Sequence, residues 1–356
     1  MHNDDIVIFS VPFRPTPHSG SGVDRYTYEL ISNFPDRGQN IRVVSNVSGN
    51  KVKRTIISGS RILYGTIVRK PKVFHAISPI SARILFNIGR KPVITTVHDV
   101  IYLDWDENWP NLELLRKKYN IKSILNSDRL IVPFEYTKKR IQEEFGIDDE
   151  KVEVVNYGID LSQFYKVSGT DGPEKAKCFD VVFMGGLNPL SRGGDIVLQI
   201  YSKLITRDSS YKLAISGIGP QMEIMKKKAF ELGILRNIAW NGFVPEDNMA
   251  NFINGASVLL YPSFMGFSYL LMQSMASGVP IVAADLFDTP EFIGDAGKLC
   301  DLGDVDEFTE SITALLSDIR IRNEYINKGL KRVQFFSPER MSKETEAIYL
   351  DYTNHA

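Results

Sequence analysis

The sequence predicts an α/β protein built from two Rossmann-like, doubly wound domains. Short apolar runs rich in β-branched residues alternate with amphipathic helical segments throughout the 356 residues, a pattern typical of parallel strands buried on both faces. Twelve such runs can be counted, which is more than one open sheet comfortably holds. The composition, 43% hydrophobic and 24% charged, is typical of a soluble globular protein. We therefore expect two domains, each with its own core.

Six strands are predicted in the first domain, at residues 5–10, 41–46, 72–77, 92–97, 129–134 and 152–157. Amphipathic segments such as VDRYTYELISNF and YTKKRIQEEFG separate several of them, and Gly146 predicts the end of the second segment. The pattern then restarts with six further strands, at residues 179–186, 211–216, 237–242, 256–263, 280–285 and 297–302.

The boundary between the domains is expected in LSQFYKVSGTDGPEKAK, a segment rich in Ser, Gly, Pro and Lys. It divides the chain into a first domain at residues 1–165 and a second at 166–336. The last segment, 337–356, opens with Ser337 as a helix cap and Pro338 at the first helical position. We expect it to form a helix that crosses back to the first domain.

The charge balance, 42 Lys and Arg against 43 Asp and Glu, identifies no class of partner. Locally, twelve basic residues lie within 37–91, and no acidic residue follows until Asp99. Two interpretations stay open, namely solvated loops beside strands and a surface for an anionic membrane or a lipid-linked acceptor. No nucleic acid partner is expected.

The two cysteines, Cys178 and Cys300, argue against a disulfide framework and a cysteine metal site. The N-terminal residues do not resemble a secretory signal, and no run of 18 apolar residues occurs. We expect a cytoplasmic protein or one peripheral to the inner face of the membrane.

Ligands of open α/β sheets bind beyond the carboxyl ends of the strands, so the loops there are the candidates for a site. In PHSGSGVDRY, residues Gly20, Ser21 and Gly22 would let backbone N–H groups approach a phosphate at a helix N-terminus. A plain flexible turn explains the same residues equally well. The spacing Gly-x-Gly-x-x-Arg departs from the dinucleotide fingerprint, which disfavours a nicotinamide oxidoreductase.

His98 in TTVHDV lies just past a predicted buried strand, where an imidazole can bond a sugar hydroxyl or act near neutral pH. We interpret His98 as functional. His75 in VFHAIS is embedded in its strand, so we expect it to belong to the core.

Two loops of the second domain are further candidates. In MGGLNPLSRGGD, Gly185 and Gly186 precede Arg192, and an arginine can clamp a diphosphate. In SFMGFSYLLMQSMASG, the turn residues Met265, Gly266, Phe267 and Ser268 precede a helix that carries Gln273. Backbone N–H groups of Gly266, Phe267 and Ser268 are expected at the helix start.

Two shorter matches carry little weight. DWD at 104–106 fits an Asp-x-Asp metal motif by only three residues. GFSYL has Leu270 where a serine nucleophile elbow requires glycine. No helix carries a His-x-x-x-His or carboxylate cluster, so no metal site is predicted.

Taken together, six stretches resemble in order and spacing the retaining glycosyltransferases of the GT-B fold, family 4 (glycosyl transferases group 1). The resemblance covers almost the whole chain, and its stretches are the glycine loop with RYTYEL, TTVHDV, VPFEYTKKRI…VEVVNYGID, GIGPQMEIMKKKAFELG, NGFVPEDNMANFINGASVLLYPS and GFSYLLMQSMASGVPIVAAD…PEFIGDAG.

The resemblance implies that the two domains face a central cleft. A nucleoside-diphosphate sugar would bind mainly to the second domain, and a glycan or lipid-linked acceptor mainly to the first. Transfer would retain the anomeric configuration, with no metal and no cofactor besides the sugar nucleotide as co-substrate. Gly20 to Gly22 would meet the diphosphate or the sugar, His98 would line the reaction centre, and Arg192 would bind the diphosphate.

The sequence departs from the family pattern at four positions. Gly186 and Arg192 stand where the family has arginine and lysine, and Met265 and Gln273 stand where it has two glutamates. Gln273 can still bond the ribose through its amide, whereas Met265 has no useful acceptor. We therefore expect an active hexosyltransferase-type enzyme with altered donor recognition. The alternative is a catalytically degenerate subunit that binds a sugar nucleotide or a glycan.

Overall fold

The structure of the protein is a computed structural model, and it describes residues 6–10, 21–34, 41–45, 71–104, 110–162, 164, 178–185, 187 and 193–354. The chain divides into two compact units. Unit 1 comprises Met1–Ile159 together with Phe336–Ala356, and unit 2 comprises Asp160–Phe335. The segment in which the domain boundary was expected lies mostly outside the described residues.

Unit 1 contains a six-stranded parallel sheet in the order β2-β1-β3-β4-β5-β6. Its strands are β1 (Ile6–Ser10), β2 (Ile41–Ser45), β3 (Val73–Ala76), β4 (Val93–Thr96), β5 (Arg129–Val132) and β6 (Val152–Val154). Its helices are α1 (Gly22–Ser32), α2 (Pro79–Asn87), α3 (Asn111–Asn126), α4 (Glu135–Phe145) and, from the end of the chain, α12 (Pro338–Asn354). The central strands β1, β3 and β4 are buried throughout, as their continuous apolar sequences require.

Unit 2 contains a second six-stranded parallel sheet, in the order β12-β11-β10-β7-β8-β9. Its strands are β7 (Phe179–Met184), β8 (Leu213–Ser216), β9 (Ile238–Gly242), β10 (Ala256–Tyr261), β11 (Ile281–Ala284) and β12 (Gly297–Cys300). Its helices are α5 (Gly194–Arg207), α6 (Gln221–Glu231), α7 (Glu246–Asn254), α8 (Tyr269–Ala276), α9 (Thr289–Ile293), α10 (Val305–Ser317) and α11 (Ile319–Val333). The strands β8 and β9 follow β7 on one side of the sheet, and β10 to β12 follow on the other, so strand succession reverses between β7 and β10. In open α/β sheets a crevice for ligands is expected at the carboxyl ends of the two strands at such a point.

The two predicted sheets are confirmed strand by strand. Where the ends of the predicted runs are described, the strands are somewhat shorter than the runs; Tyr211 and Lys212, for example, precede β8 without belonging to it. The predicted stop at Gly146 is also confirmed, since this residue follows α4 in the left-handed conformation with φ 62°. Its amide donates to the carbonyl of Gln142 at 2.8 Å, which closes the last helical turn.

The helix α12 packs into unit 1. Ser337 caps its N-terminus, as predicted, by accepting from the Arg340 amide at 3.2 Å. The Ser342 hydroxyl donates to the carbonyl of Leu30 in α1 at 2.9 Å. A Cβ on Gly158 would lie 2.4 Å from the Cα of Pro338, so only glycine allows the chain to pass there.

Candidate functional site

Three loops pack against one another at the carboxyl ends of β7, β8 and β10. A Cβ on Gly217, which has φ +146°, would lie 1.8 Å from the Gly185 carbonyl oxygen. One on Gly219 would lie 2.1 Å from the Leu187 carbonyl oxygen, and one on Gly193 would lie 2.4 Å from that of Pro262. These contacts explain the glycines through backbone packing. They also hold the three loops together at the point where strand succession reverses.

Gly185 takes part in this packing through its own amide. The N–H group donates to the Ser216 carbonyl at 3.0 Å, which extends the pairing of β7 with β8 by one residue. That amide is therefore engaged within the sheet. Gly186 and Arg192, the other candidates of this loop, lie outside the described residues, as does Gly20 in the first unit.

The first helix after β7 is preceded by a glycine. Gly193 stands before α5 in the left-handed conformation, and it has no side chain that could cap the helix. Asp195 in its first turn lies 3.2 Å from the ammonium of Lys228. The first N–H groups of a helix and its dipole favour an anion, so this end of α5 offers a binding position for a phosphate group.

The turn between β10 and α8 is fixed by side chains that bond its backbone. The Met265 amide donates to Ser263 Oγ at 3.1 Å, and the Tyr261 hydroxyl donates to the Gly266 carbonyl at 2.9 Å. Ser268 Oγ caps the helix by accepting from the Leu270 amide at 3.3 Å. The turn is thus a rigid element.

Asp288, in the segment after β11, also holds this turn. Its buried carboxylate accepts from the Phe267 amide at 2.7 Å, so this predicted ligand-binding amide already has a protein acceptor. A Cβ on Gly266 would lie 2.3 Å from Asp288 Oδ1. The neighbouring Phe287 has φ 55°, a strained conformation for a bulky residue. Asp288 was not among the residues that the sequence singled out, because Asp-Thr-Pro is typical of an ordinary helix start.

The two positions without the expected glutamates differ in environment. Met265 is exposed, with 36% of its surface accessible, whereas Gln273 in α8 is 4% exposed. The side-chain amide of Gln273 donates to Glu246 Oε1 at 3.1 Å. Glu246 is the first residue of α7. Nothing in its local sequence distinguished it from an ordinary acidic residue in a first helical turn.

In unit 1, His98 lies just beyond β4 and is hydrogen-bonded through both ring nitrogens. Nε2 lies 2.8 Å from the Ile77 carbonyl oxygen, and since that oxygen only accepts, Nε2 carries the proton. Nδ1 therefore accepts from the Tyr157 hydroxyl at 3.0 Å. The imidazole packs edge-on to Tyr26 and parallel to Tyr157, with ring centroids 4.9 and 5.9 Å away. Burial lowers the pKa of His98 to about 4, so the ring is neutral at pH 7.

His75 belongs to the core of unit 1, as predicted. It is fully buried in β3, with Nδ1 2.5 Å from the Tyr349 hydroxyl and Nε2 2.7 Å from Thr96 Oγ1. Thr96 Oγ1 lies in turn 3.4 Å from the Tyr26 hydroxyl. Burial lowers the pKa of His75 to about 3. The sequence did not reveal this network, because Tyr349 lies at the opposite end of the chain.

Ser21 and Gly22 stand at the start of α1. The helix begins at Gly22, and the Ser21 carbonyl accepts from the Arg25 amide at 3.1 Å. Arg25 and Glu29 form an ion pair of 3.7 Å along the buried side of this helix. The positive end of the helix dipole thus lies at the predicted glycine loop.

Among the described residues there is neither a membrane-spanning helix nor a metal cluster. No helix there combines the length and the apolar character that crossing a bilayer requires. Within the same residues, no group of three or more His, Cys, Asp or Glu side chains is arranged to hold a metal ion.

Comparison with known proteins gives matches over both units. Residues 20–163 match the family model described as Glycosyltransferase Family 4, and residues 178–318 match the one described as Glycosyl transferases group 1. O-antigen chain mannosyltransferase B of Escherichia coli is 24% identical over 72% of this chain and 69% of its own. N-acetyl-alpha-D-glucosaminyl L-malate synthase of Bacillus anthracis is 26% identical over 78% of this chain and 72% of its own.

Solved structures share the fold. A glycosyltransferase from Rickettsia africae superimposes with a TM-score of 0.74 at 17% identity, covering all of both chains. Anabaena HepE in complex with UDP and glucose gives a TM-score of 0.73 at 14% identity, covering 98% of this chain and 99% of its own. With two parallel six-stranded Rossmann-like sheets and both family models matched, this chain belongs to the family 4, group 1 glycosyltransferases of the GT-B fold.

Proposed function

We propose that the protein is a retaining, metal-independent hexosyltransferase. It would transfer a sugar from a nucleoside-diphosphate donor to a hydroxyl of a glycan or lipid-linked acceptor. The observation that carries the proposal is the close backbone packing of three glycine-containing loops at the carboxyl ends of β7, β8 and β10 in unit 2, beside the start of α5. The families matched by both units, and a relative named as a mannosyltransferase, support it.

In this proposal unit 2 binds the donor and stabilises the leaving diphosphate. The N-terminus of α5 would supply oriented N–H groups to the phosphates at the moment when negative charge builds up on them. The locked turn before α8 would keep Met265 beside the sugar without offering it a charge. Because Ser263, Tyr261 and Asp288 already fix this turn, little reorganisation is needed when the donor binds.

His98 would act as a neutral positioning group at the sugar end of the donor. Its two nitrogens are hydrogen-bonded to Ile77 and Tyr157. The ring therefore fixes the positions of the segment after β3 and the segment after β6. Its low pKa keeps a positive charge away from the reaction centre, where a cation-like sugar would develop.

The first test is a panel of nucleotide sugars. We expect the purified protein to transfer sugar from at least one UDP-, GDP- or ADP-linked hexose to a glycan or lipid-linked acceptor, with or without EDTA. Product formation is followed by mass spectrometry, and donor binding by isothermal titration calorimetry. Binding of donors without transfer to any acceptor would favour the degenerate subunit instead. A requirement for a divalent metal would contradict the metal-independent mechanism.

We also propose that unit 1 contacts an anionic membrane that carries the acceptor. Most of the basic run at 37–91 lies outside the described residues. Within the described part, Lys72 donates to the Thr353 carbonyl, Arg83 stacks 3.2 Å from the ring centroid of Tyr119, and Lys91 lies 3.5 Å from Asp128. These three basic side chains therefore have intramolecular roles. The basic residues of the run outside the described part remain candidates for the contact.

The exposed face of α3 is a second candidate surface of unit 1. Leu115, Lys118, Lys122 and Leu125 follow one another at helical spacing and are all exposed. In the described part of the chain, no ion pair joins Lys118 or Lys122 to an acidic residue. Leucines that enter the headgroup region beside lysines that meet anionic lipid are typical of helices lying on a bilayer surface.

A liposome flotation assay tests this surface. We expect the protein to float with vesicles containing 30% phosphatidylglycerol and to remain at the bottom with neutral vesicles. The double variant Lys118→Glu and Lys122→Glu should lose most of the flotation, since each basic residue near an anionic surface contributes about 1 kcal/mol. Lys227→Glu, on an exposed helix of unit 2, is the control. Equal flotation of all three proteins would exclude the α3 surface.

A further inference from the structure

We propose that a buried chain of hydrogen bonds, from Tyr349 through His75 to Thr96, positions the imidazole just beyond β4. That imidazole belongs to His98. Thr96 is then a positioning residue for sugar transfer, and the last helix of the protein contributes to the geometry of the reaction centre. The effect on catalysis rests on the proposed function, because it requires that His98 stands at the site of transfer. The effect on the position of His98 does not depend on that function.

Two side-chain hydrogen bonds join the neighbouring strands β3 and β4 one after the other. His75 Nε2 lies 2.7 Å from Thr96 Oγ1. Two residues further along each segment, His98 Nε2 lies 2.8 Å from the Ile77 carbonyl oxygen. Because His98 follows the end of β4, its bond continues beyond the strand a pattern that begins inside the sheet. The first bond therefore sets the spacing of the two segments at which the second is made.

Tyr26 of α1 contacts both residues that the β4 segment contributes. Its hydroxyl lies 3.4 Å from Thr96 Oγ1, and its ring stands edge-on to the His98 imidazole, with 4.9 Å between the ring centroids. A threonine hydroxyl donates one hydrogen bond and accepts others, so Thr96 can serve His75 and Tyr26 together. A shift of Thr96 would thus reach His98 by two routes, the backbone of β4 and the Tyr26 ring.

The other end of the chain is fixed by α12. The Tyr349 hydroxyl lies 2.5 Å from His75 Nδ1, and the Tyr349 ring stacks on Phe34 with 5.9 Å between centroids. His75 uses its second nitrogen for Thr96, so its imidazole is held from both sides. The position of α12 therefore determines where Thr96 finds its partner.

The burial of this chain favours a positioning role over simple packing. Four polar side chains are each at most 1% exposed, namely Tyr349, His75, Thr96 and Tyr26. Burying such groups costs free energy unless they are hydrogen-bonded, and apolar side chains would fill the same space without this requirement. A bonded polar network instead restricts the core to one arrangement. An imidazole that must be placed accurately at a reaction centre needs such a restriction.

The first measurement is the tautomer of His98 in the protein without substrate, read from the NMR shifts of isotope-labelled ring nitrogens at pH 7. The spectrum of His98→Ala assigns the signals. We expect Nε2 to carry the proton in the wild type, because it donates to a carbonyl oxygen. Thr96→Val should give a mixture of the two tautomers, whereas Thr96→Ser keeps the hydroxyl and should keep the wild-type tautomer. Wild-type shifts in Thr96→Val would overturn the proposal.

The second measurement separates turnover from donor affinity. We expect Thr96→Val to lower kcat by roughly tenfold, about the value of one hydrogen bond. Tyr349→Phe acts one bond further away and should lower kcat by about threefold. In both variants the Kd for UDP and GDP should stay within about twofold of the wild type, because the proposed nucleotide site is built from unit 2. Thr96→Ser should restore most of the wild-type kcat.

Ser342→Ala is the matched control for a purely structural effect. The Ser342 hydroxyl also attaches α12 to unit 1, by donating to the Leu30 carbonyl at 2.9 Å, and it is buried like that of Tyr349. Its removal loosens the same helix without breaking the chain that leads to His98. We expect Ser342→Ala to lower the melting temperature as Tyr349→Phe does, but to keep the wild-type kcat and the wild-type tautomer of His98.

The contrary results are distinguishable. If Ser342→Ala and Tyr349→Phe lower kcat equally, α12 acts through stability alone and the proposal is overturned. If Thr96→Val does not fold, as its melting curve would show, the comparison of these two helix variants decides. If the wild type transfers no sugar, the proposed function is wrong, and the tautomer of His98 in Thr96→Val and Tyr349→Phe still decides whether the chain positions the imidazole.

Discussion

Replacing His98 with alanine is expected to lower the rate of sugar transfer by about a hundredfold, the effect of a small misplacement at a reaction centre. The affinity for the donor nucleotide should stay within about threefold of the wild type, because the proposed nucleotide site is built from unit 2. The physical reason is the double anchoring of the imidazole by Ile77 and Tyr157. Initial rates at saturating donor, together with calorimetric titration of UDP and GDP, measure the two effects separately.

A matched variant separates positioning from direct contact with the substrate. Tyr157→Phe removes the hydroxyl that bonds Nδ1 of His98 but keeps the ring that packs parallel to the imidazole. If His98 only positions the chain, this variant should lower turnover by roughly tenfold, about the value of one hydrogen bond. If the rate of His98→Ala is unchanged, the residue has no part in the mechanism.

Replacing His75 with phenylalanine is expected to destabilise unit 1 by about 3 kcal/mol. The substitution leaves the buried Tyr349 hydroxyl without its partner at 2.5 Å and Thr96 Oγ1 without its partner at 2.7 Å, and each such loss costs about 1–3 kcal/mol. We expect faster amide hydrogen exchange in α12, because the hydrogen bond from Tyr349 to His75 attaches that helix to β3. Hydrogen exchange followed by mass spectrometry measures it for the peptides at 338–354.

The control for this prediction is Tyr349→Phe, which removes the same bond from the other side. The ring contact with Phe34, 5.9 Å between centroids, remains. Both single variants break the same hydrogen bond between His75 and Tyr349. The double variant His75→Phe and Tyr349→Phe should therefore lose less free energy of unfolding than the two single variants lose together. If the losses of the two single variants add up in the double variant, the hydrogen bond contributes nothing to the docking of α12.

The same variant should change the response to acid. His75 titrates at a pKa of about 3 in the folded protein and near 6.5 in an unfolded chain. Between these values the unfolded chain binds more protons, so the free energy of unfolding falls as the pH decreases, by about 1.4 kcal/mol per pH unit for each such histidine. His98, with a pKa lowered to about 4, adds a similar slope.

Comparing urea titrations of the wild type and His75→Phe between pH 6 and 4.5 isolates the contribution of His75. The carboxylates contribute the same pH dependence of the free energy of unfolding to both proteins. The neighbouring tyrosines stay neutral, because burial raises the pKa of Tyr26 to about 12 and that of Tyr349 further above its usual range. The variant should therefore lose stability less steeply in acid. If the free energy of unfolding falls equally with pH in both proteins, the pKa of His75 is not lowered in the folded state.

The sheets were predictable because buried parallel strands impose a local pattern on the sequence. Runs such as IVIF (6–9) and VLLY (258–261) are apolar for their whole length, whereas a helix that buries one face alternates apolar and polar residues. The core position of His75 followed from its place within such a run. Gly217 and Gly219 directly follow the predicted strand at 211–216, but the reason for them was not predictable, because their contact with the carbonyls of Gly185 and Leu187 depends on how two loops meet.

The side-chain partners within the candidate site were not predictable, since they join distant segments. Tyr349 is 274 residues from His75, and Gln273 is 27 residues from Glu246. Asp288 was hidden by a sequence that indicates a helix cap. Resemblance to a family identified Gln273 as an altered position, yet only the three-dimensional contact shows which acidic residue lies beside it.

The return of the chain to unit 1 has a consequence for synthesis on the ribosome. The strand that carries His75 emerges early, whereas Ser342 and Tyr349, which bond Leu30 and His75, emerge only after all of unit 2 has been translated. Until then the nascent unit 1 exposes the surface that α12 later covers. Unit 2, which is continuous in sequence, can complete its core first, so the second half of this protein is able to mature before the first.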